Sequence, residues 1–117
     1  MKLNHIDLPV SDLVAAADYF QRGFGFERIA APADGMAILR GTDGFALILQ
    51  QVAKAEYPDG FHIGFLQPSD EAVHAAYQRL ADAGLPLPPA PALSHGCLAF
   101  WCHAPGGILI EVSHRSG

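Results

Sequence analysis

This chain reads as one structural unit written twice, and that repeat constrains its fold more than any other feature. His5-Ile6 returns as His62-Ile63, Ser11-Asp12 as Ser69-Asp70, and Tyr19 as Tyr77. Gly44-Phe45-Ala46-Leu47-Ile48 returns as Gly107-Ile108-Leu109-Ile110-Glu111. A repeat of this kind means that two copies of one supersecondary unit build the core together.

The periodicity inside each copy names the unit. From Leu3 to Val10, the residues Ile6, Leu8 and Val10 alternate with His5 and Asp7, as in a half-buried strand. Ser11 is the expected helix N-cap, with Asp12 in the first turn. Leu13, Ala16, Ala17 and Phe20 form one apolar helix face, and Gly23 and Gly25 are expected to stop the helix. Three short strands follow, around Phe26–Ala30, Met36–Arg40 and Phe45–Gln50, divided by Asp34-Gly35 and Gly41-Thr42-Asp43-Gly44 turns.

The second copy runs from a Phe61–Gln67 strand through a helix capped by Ser69, with Val73, Ala76, Tyr77 and Leu80 on its apolar face and Gly84 at its end. Its proline-rich passage, Leu85–Pro91, is extended rather than helical. A hairpin of Leu98–His103 and Ile108–Ser113 closes the chain around Pro105-Gly106-Gly107. The expected fold is therefore α+β, with two βαβββ modules forming a cupped mixed sheet and helices on the convex side. One domain covers residues 1–117, with module one at about 1–55 and module two at about 60–114.

Composition removes several function classes. Half of the residues are hydrophobic, which excludes a disordered chain. The formal charge is −5 and no Lys/Arg cluster exists, so neither nucleic acid nor an anionic membrane is an expected partner. The longest apolar run, Cys97–Cys102, is far too short to span a bilayer, and no signal-peptide core follows Met1, so the expected location is cytoplasmic. Cys97 and Cys102 have opposite strand parity, and are expected to be reduced core residues that neither bond to each other nor share a metal.

A sheet with one uncovered face makes polar residues on that face informative. His5 and Asp7, His62, and Glu111 and Ser113 are expected there. Glu111 stands within Ile108-Leu109-Ile110-Glu111-Val112, where a carboxylate is costly unless paired or bound to a cation. Two histidines and a carboxylate on three strands of one sheet are compatible with a facial triad that leaves coordination positions open. On spacing alone, satisfied core or surface histidines and an edge charge are the commoner reading, because no short-range ligand motif is present.

Longer stretches carry a resemblance. Leu3-Asn4-His5-Ile6-Asp7-Leu8-Pro9-Val10-Ser11-Asp12-Leu13, Tyr19-Phe20 and Gly23-Phe24-Gly25-Phe26 resemble the opening of the vicinal oxygen chelate superfamily, which includes glyoxalases, bleomycin resistance proteins and extradiol dioxygenases. Phe61-His62-Ile63-Gly64-Phe65 and Pro105-Gly106-Gly107-Ile108-Leu109-Ile110-Glu111-Val112 resemble its second-half signatures. The resemblance implies a divalent metal (Fe, Mn, Ni, Co or Zn) held by His5, His62 and Glu111. It also implies a small substrate chelated through two neighbouring oxygens, and a glyoxalase-like lyase or isomerase activity. A small extradiol-type dioxygenase and a metal-free drug-sequestering protein are the alternatives. Short members of the superfamily imply a homodimer, in which His5 of one chain joins His62 and Glu111 of the other.

Departures from the family pattern refine this expectation. Ile48 stands where glyoxalases carry a fourth ligand, and Asp7 stands where fosfomycin-resistance enzymes carry a threonine. Residues 80–114 contain no Lys or Arg, so an anionic phosphonate would be poorly held, and the low basicity of the chain points to a neutral or weakly anionic substrate. Asp7 is a candidate base or a partner that orients an imidazole, and Glu111 a candidate catalytic carboxylate as well as a ligand. Ile48, Gln50, Trp101 and His103 are candidate substrate contacts, although core packing also suits Trp101. His95, in Ser94-His95-Gly96, belongs to a lid or to a plain exposed loop. His74 and His114 carry no expected role.

Overall fold

The computed structural model describes residues 1–30 and 34–115. Its elements run β1 (His5–Val10), α1 (Leu13–Phe24), β2 (Glu27–Ala30), β3 (Met36–Arg40), β4 (Ala46–Gln51), β5 (His62–Leu66), α2 (Asp70–Asp82), β6 (Ala92–Ser94), β7 (Cys97–Ala104) and β8 (Ile108–Arg115). The chain divides into two compact units, Met1–Glu56 and Tyr57–Gly117, each with the order βαβββ.

The strands form two four-stranded mixed sheets, ordered β1-β4-β3-β2 and β5-β8-β7-β6. Each expected βαβββ module forms one of these sheets. The first strand of each unit pairs in parallel with the last strand of the same unit, so the ladders close within the unit. His5 therefore belongs to one sheet, and His62 and Glu111 to the other. The repeat is nonetheless kept in register: Asp7 lies opposite Ile48 as Gly64 lies opposite Glu111.

In the first unit, α1 packs on β3 and β4. It brings Ala16, Ala17, Tyr19, Phe20 and Gly23 against the buried Leu8, Val10, Ala37, Leu39, Leu47 and Leu49. Phe20 is the centre of an aromatic cluster, meeting Tyr19 and Phe26 edge-on at centroid distances of 5.5 and 6.0 Å. Full burial of such a ring contributes roughly 2–3 kcal/mol. The N-cap of α1 is Asp12, not Ser11: Asp12 Oδ1 accepts from the Ala15 amide at 3.0 Å. Ser11 is diverted because its Oγ accepts from the Ala55 amide at 2.8 Å. Gln51 completes the cap, its Oε1 accepting from the Leu13 amide at 2.8 Å, so another orphan donor of the first turn is satisfied. Gly23 is a buried helical residue, and the stop falls to Gly25 alone, in the left-handed region at φ 72°.

In the second unit, α2 packs on β7 and β8, burying Val73 and Leu80 near Phe100, Ile108, Ile110 and Val112. Ser69 caps α2 as expected, its Oγ accepting from the Ala72 amide at 3.1 Å. The proline-rich passage forms no regular element and leads into β6. It is tied down by Tyr77, whose hydroxyl donates to the Pro88 carbonyl while its ring meets Phe100 edge-on at 5.4 Å. His114 Nδ1 donates to Asp70 Oδ1 at 2.7 Å, joining β8 to the first turn of α2. Cys97 and Cys102 are free thiols, the first partly buried and the second buried. Among the described residues, no helix is long and apolar enough to cross a membrane.

Candidate functional site

Strand alternation sorts each sheet into a helix-covered face and a helix-free face. On the first sheet the helix-free face carries rows of cross-strand partners. His5, Ala46 and Arg40 form one row, Asp7, Ile48 and Ile38 the next, and Pro9, Gln50 and Met36 the third. Ile48 thus shares a face with His5 and Asp7, while its neighbours Leu47 and Leu49 are buried under α1. Gln50 is engaged there too, its Nε2 donating to Asp7 Oδ2 at 2.5 Å. This bond holds one carboxylate oxygen of Asp7 and fixes the direction of the other.

On the second sheet the equivalent rows are His62, Leu109 and His103; Gly64, Glu111 and Trp101; Leu66, Ser113 and Ala99. Arg115 and its partner Cys97 continue the face. The expectation that Trp101 packs in the core is corrected: it is 41% exposed. Leu98, Phe100, Cys102 and Ala104 take the inner positions of β7, so alternation sends Trp101 outward despite its size. Its ring meets the His62 imidazole edge-on at 4.9 Å and supports that side chain.

The two expected histidine ligands share a hydrogen-bonding arrangement. His62 Nδ1 lies 2.8 Å from the Gly60 carbonyl, which can only accept, so Nδ1 carries the proton. His5 Nδ1 lies 2.7 Å from Asn4 Oδ1 and donates to it in the same way. In both rings this leaves Nε2 as the nitrogen that is free to meet a ligand. Glu111 is partly buried, and its carboxylate has no hydrogen bond or ion pair among the described residues. It faces a groove of about 370 Å³ lined by Gly64, Leu66, Glu111, Ser113 and Arg115. No group of three or more His, Cys, Asp and Glu side chains that could hold a metal ion occurs among the described residues. The expected ligands are instead divided, with His62 and Glu111 in the second unit and His5 in the first.

Sequence reasoning missed three participants. The Gly60 carbonyl was invisible because backbone orientation leaves no mark in the sequence. Leu66 and Arg115 were findable, since they continue the parity of His62 and Glu111 along β5 and β8. His95 is a turn residue. With Gly96 it forms the two-residue β6–β7 hairpin loop, both residues at positive φ (53° and 73°).

Two mixed sheets, each covered by one helix, with histidines and a lone carboxylate on their helix-free faces, define a class of paired-module proteins. The chain belongs to the glyoxalase/bleomycin resistance protein/dioxygenase superfamily, whose family model matches residues 2–112. It is similar to the structure of a possible glyoxalase from Bacillus cereus, with 38% identity, coverage of 96% of this chain and 97% of that one, and a TM-score of 0.81. It shares its fold with the fosfomycin resistance protein FosX from Listeria monocytogenes (20% identity, 99% and 94% coverage, TM-score 0.81). The same holds for a lactoylglutathione lyase from Agrobacterium tumefaciens (17% identity, 97% and 92% coverage, TM-score 0.76). None of the curated proteins matches the sequence. Members of the superfamily generally use divalent metals. The donor types of the expected ligands, imidazole and carboxylate, are ones that such an ion takes.

Proposed function

We propose that this protein is a divalent-metal-dependent enzyme that binds a small substrate through two vicinal oxygens and acts as a glyoxalase-like lyase or isomerase. The observation that carries this reading is the unpaired Glu111 carboxylate one row from His62, whose Nδ1 is committed to the Gly60 carbonyl. A metal-free sequestering protein has no use for that carboxylate in an apolar strand. His62 and Glu111 are the ligands from one unit, and His5 is the ligand from the other. When bound, the ion supplies Lewis acidity to the two substrate oxygens. Gln50 engages Asp7 Oδ2, leaving Oδ1 to accept a proton from the substrate carbon acid. Ile48, Trp101 and His103 flank the reacting groups.

The working unit in this proposal is a homodimer, with the site completed by His5 of one chain and His62 and Glu111 of its mate. Each sheet leaves the strand that bears its histidine, β1 or β5, at an edge, where backbone groups need a partner. A closed twofold arrangement satisfies two such edges equivalently.

Metal analysis of protein purified without chelator tests the class. About one divalent ion per chain is expected. None, even after reloading with Fe, Mn, Co, Ni and Zn in turn, refutes it. Co-refolding His5→Ala with Glu111→Ala protein tests the sharing. Isolated mixed dimers carry one intact site and one with both lesions, so about half of the wild-type metal content is expected. No recovery in a verified mixed dimer means that each site is built within one chain.

A further inference from the structure

The groove beside Glu111 has a second charged end. Glu111, Ser113 and Arg115 occupy alternate positions of β8 and face the same groove, which Gly64 and Leu66 of β5 complete. Alternate residues on a strand are roughly 6.5–7 Å apart, so the backbone positions of Glu111 and Arg115 are roughly 13 Å apart. That separation keeps the carboxylate and the guanidinium from neutralising each other. Neither has an ion pair or hydrogen bond among the described residues. Between them the groove is nearly neutral. Ser113 is 7% exposed, Leu66 offers an apolar wall, and a Cβ built on Gly64 meets nothing within 4 Å. Cys97, the cross-strand partner of Arg115, is too small to cover the guanidinium.

We propose that Arg115 receives a carboxylate of the substrate, so that the compound bound here is a small organic acid with its vicinal oxygens at one end and its carboxylate at the other. This rests on the reading of Glu111 as a metal ligand. With a cation held at Glu111, the groove presents positive charge at both ends and apolar surface between them, and a dianionic or polarised acid matches both. The expectation of a neutral or weakly anionic substrate is thereby revised. It rested on the low basicity of the chain as a whole, whereas one cation, just beyond the Lys- and Arg-free residues 80–114, stands at the groove.

The test is calorimetric binding to the full-length protein loaded with Zn²⁺, at neutral pH. Three probes are used: protocatechuate, its neutral isostere protocatechuamide, and catechol. Wild-type protein is expected to bind protocatechuate about tenfold more tightly than protocatechuamide, the worth of one charge-assisted contact to a guanidinium. Arg115→Gln should abolish that preference and leave protocatechuamide binding unchanged. Arg115→Lys should keep part of it, which separates loss of charge from damage to the strand. Equal binding of the two probes by wild-type protein, or a preference that survives Arg115→Gln, overturns the proposal. Catechol reports separately on the reading beneath it. Catechol binding that does not depend on Zn²⁺ sinks the vicinal-oxygen reading, while an Arg115-dependent preference for protocatechuate still supports the carboxylate site.

Discussion

Replacing Glu111 by Gln retains the length and shape of the side chain and removes only its charge. In the metal-free protein this should cost little. Glu111 is partly buried on the helix-free face of its sheet, and its carboxylate has no hydrogen bond or ion pair among the described residues that the substitution would break. Metal-free Glu111→Gln is therefore expected to lie within about 0.5 kcal/mol of wild type, or to be more stable. The metal-loaded proteins should differ widely. A ligand that binds only the native state stabilises by RT ln(1 + [L]/Kd), about 2.7 kcal/mol at a hundredfold excess over Kd. For a chain of this size that raises Tm by about 10 °C. Groups that orient a metal's ligands are worth up to about 100-fold in affinity, and a direct ligand should be worth at least as much. At the same metal concentration the variant is then no more than half saturated, and its gain falls to about 0.4 kcal/mol, or 1–2 °C. Scanning calorimetry of both proteins across a Zn²⁺ or Mn²⁺ titration measures both shifts. A metal-induced rise in Glu111→Gln equal to that of wild type would refute the ligand assignment.

Two further predictions follow from the backbone and from burial. His95→Asn should raise the urea midpoint by on the order of 0.5–1 kcal/mol of stability, because Asn-Gly suits a loop with both residues at positive φ and His95 now bears strain at φ 53°. An unchanged or lower midpoint would mean that the imidazole is held by something other than the turn. Burial pushes the Tyr57 phenol above its ordinary value of 10.0, so the unfolded chain ionises first and the stability due to the neutral phenol, complete below pH 10, is lost as pH rises further. Denaturant midpoints of wild type and Tyr57→Phe should therefore converge or cross in that direction between pH 8 and 11, and parallel curves would contradict the assignment.

Much of this architecture was legible because alternation and helical periodicity report burial directly. His5 and Asp7 against Ile6, Leu8 and Val10 gave the faces of β1, and Ser69 with Asp70 and Glu71 gave the start of α2. The failures share a cause, namely competition between distant groups for one hydrogen-bonding atom or one face. Ser11 had the right chemistry for a cap, but the Ala55 amide engages its hydroxyl. Trp101 had the hydrophobicity of a core residue but the wrong parity on β7.

The repeat also shows how the two halves place a carboxylate differently although both share a register. In the first unit the acidic residue, Asp7, is on the edge strand and faces the aliphatic Ile48 on the adjacent strand; in the second, Gly64 is on the edge strand and Glu111 on the adjacent one. The same two backbone positions are thus filled in opposite order. A glycine opposite Glu111 leaves the carboxylate uncovered on the side of the groove, whereas Ile48 opposite Asp7 covers the corresponding space and leaves Gln50 to engage the acid. One unit therefore presents a carboxylate to a ligand and the other holds a carboxylate in place by its own side chains. Under the proposed function, Glu111 would serve as the ligand from one module and the hydrogen-bonded Asp7 as the base from the other.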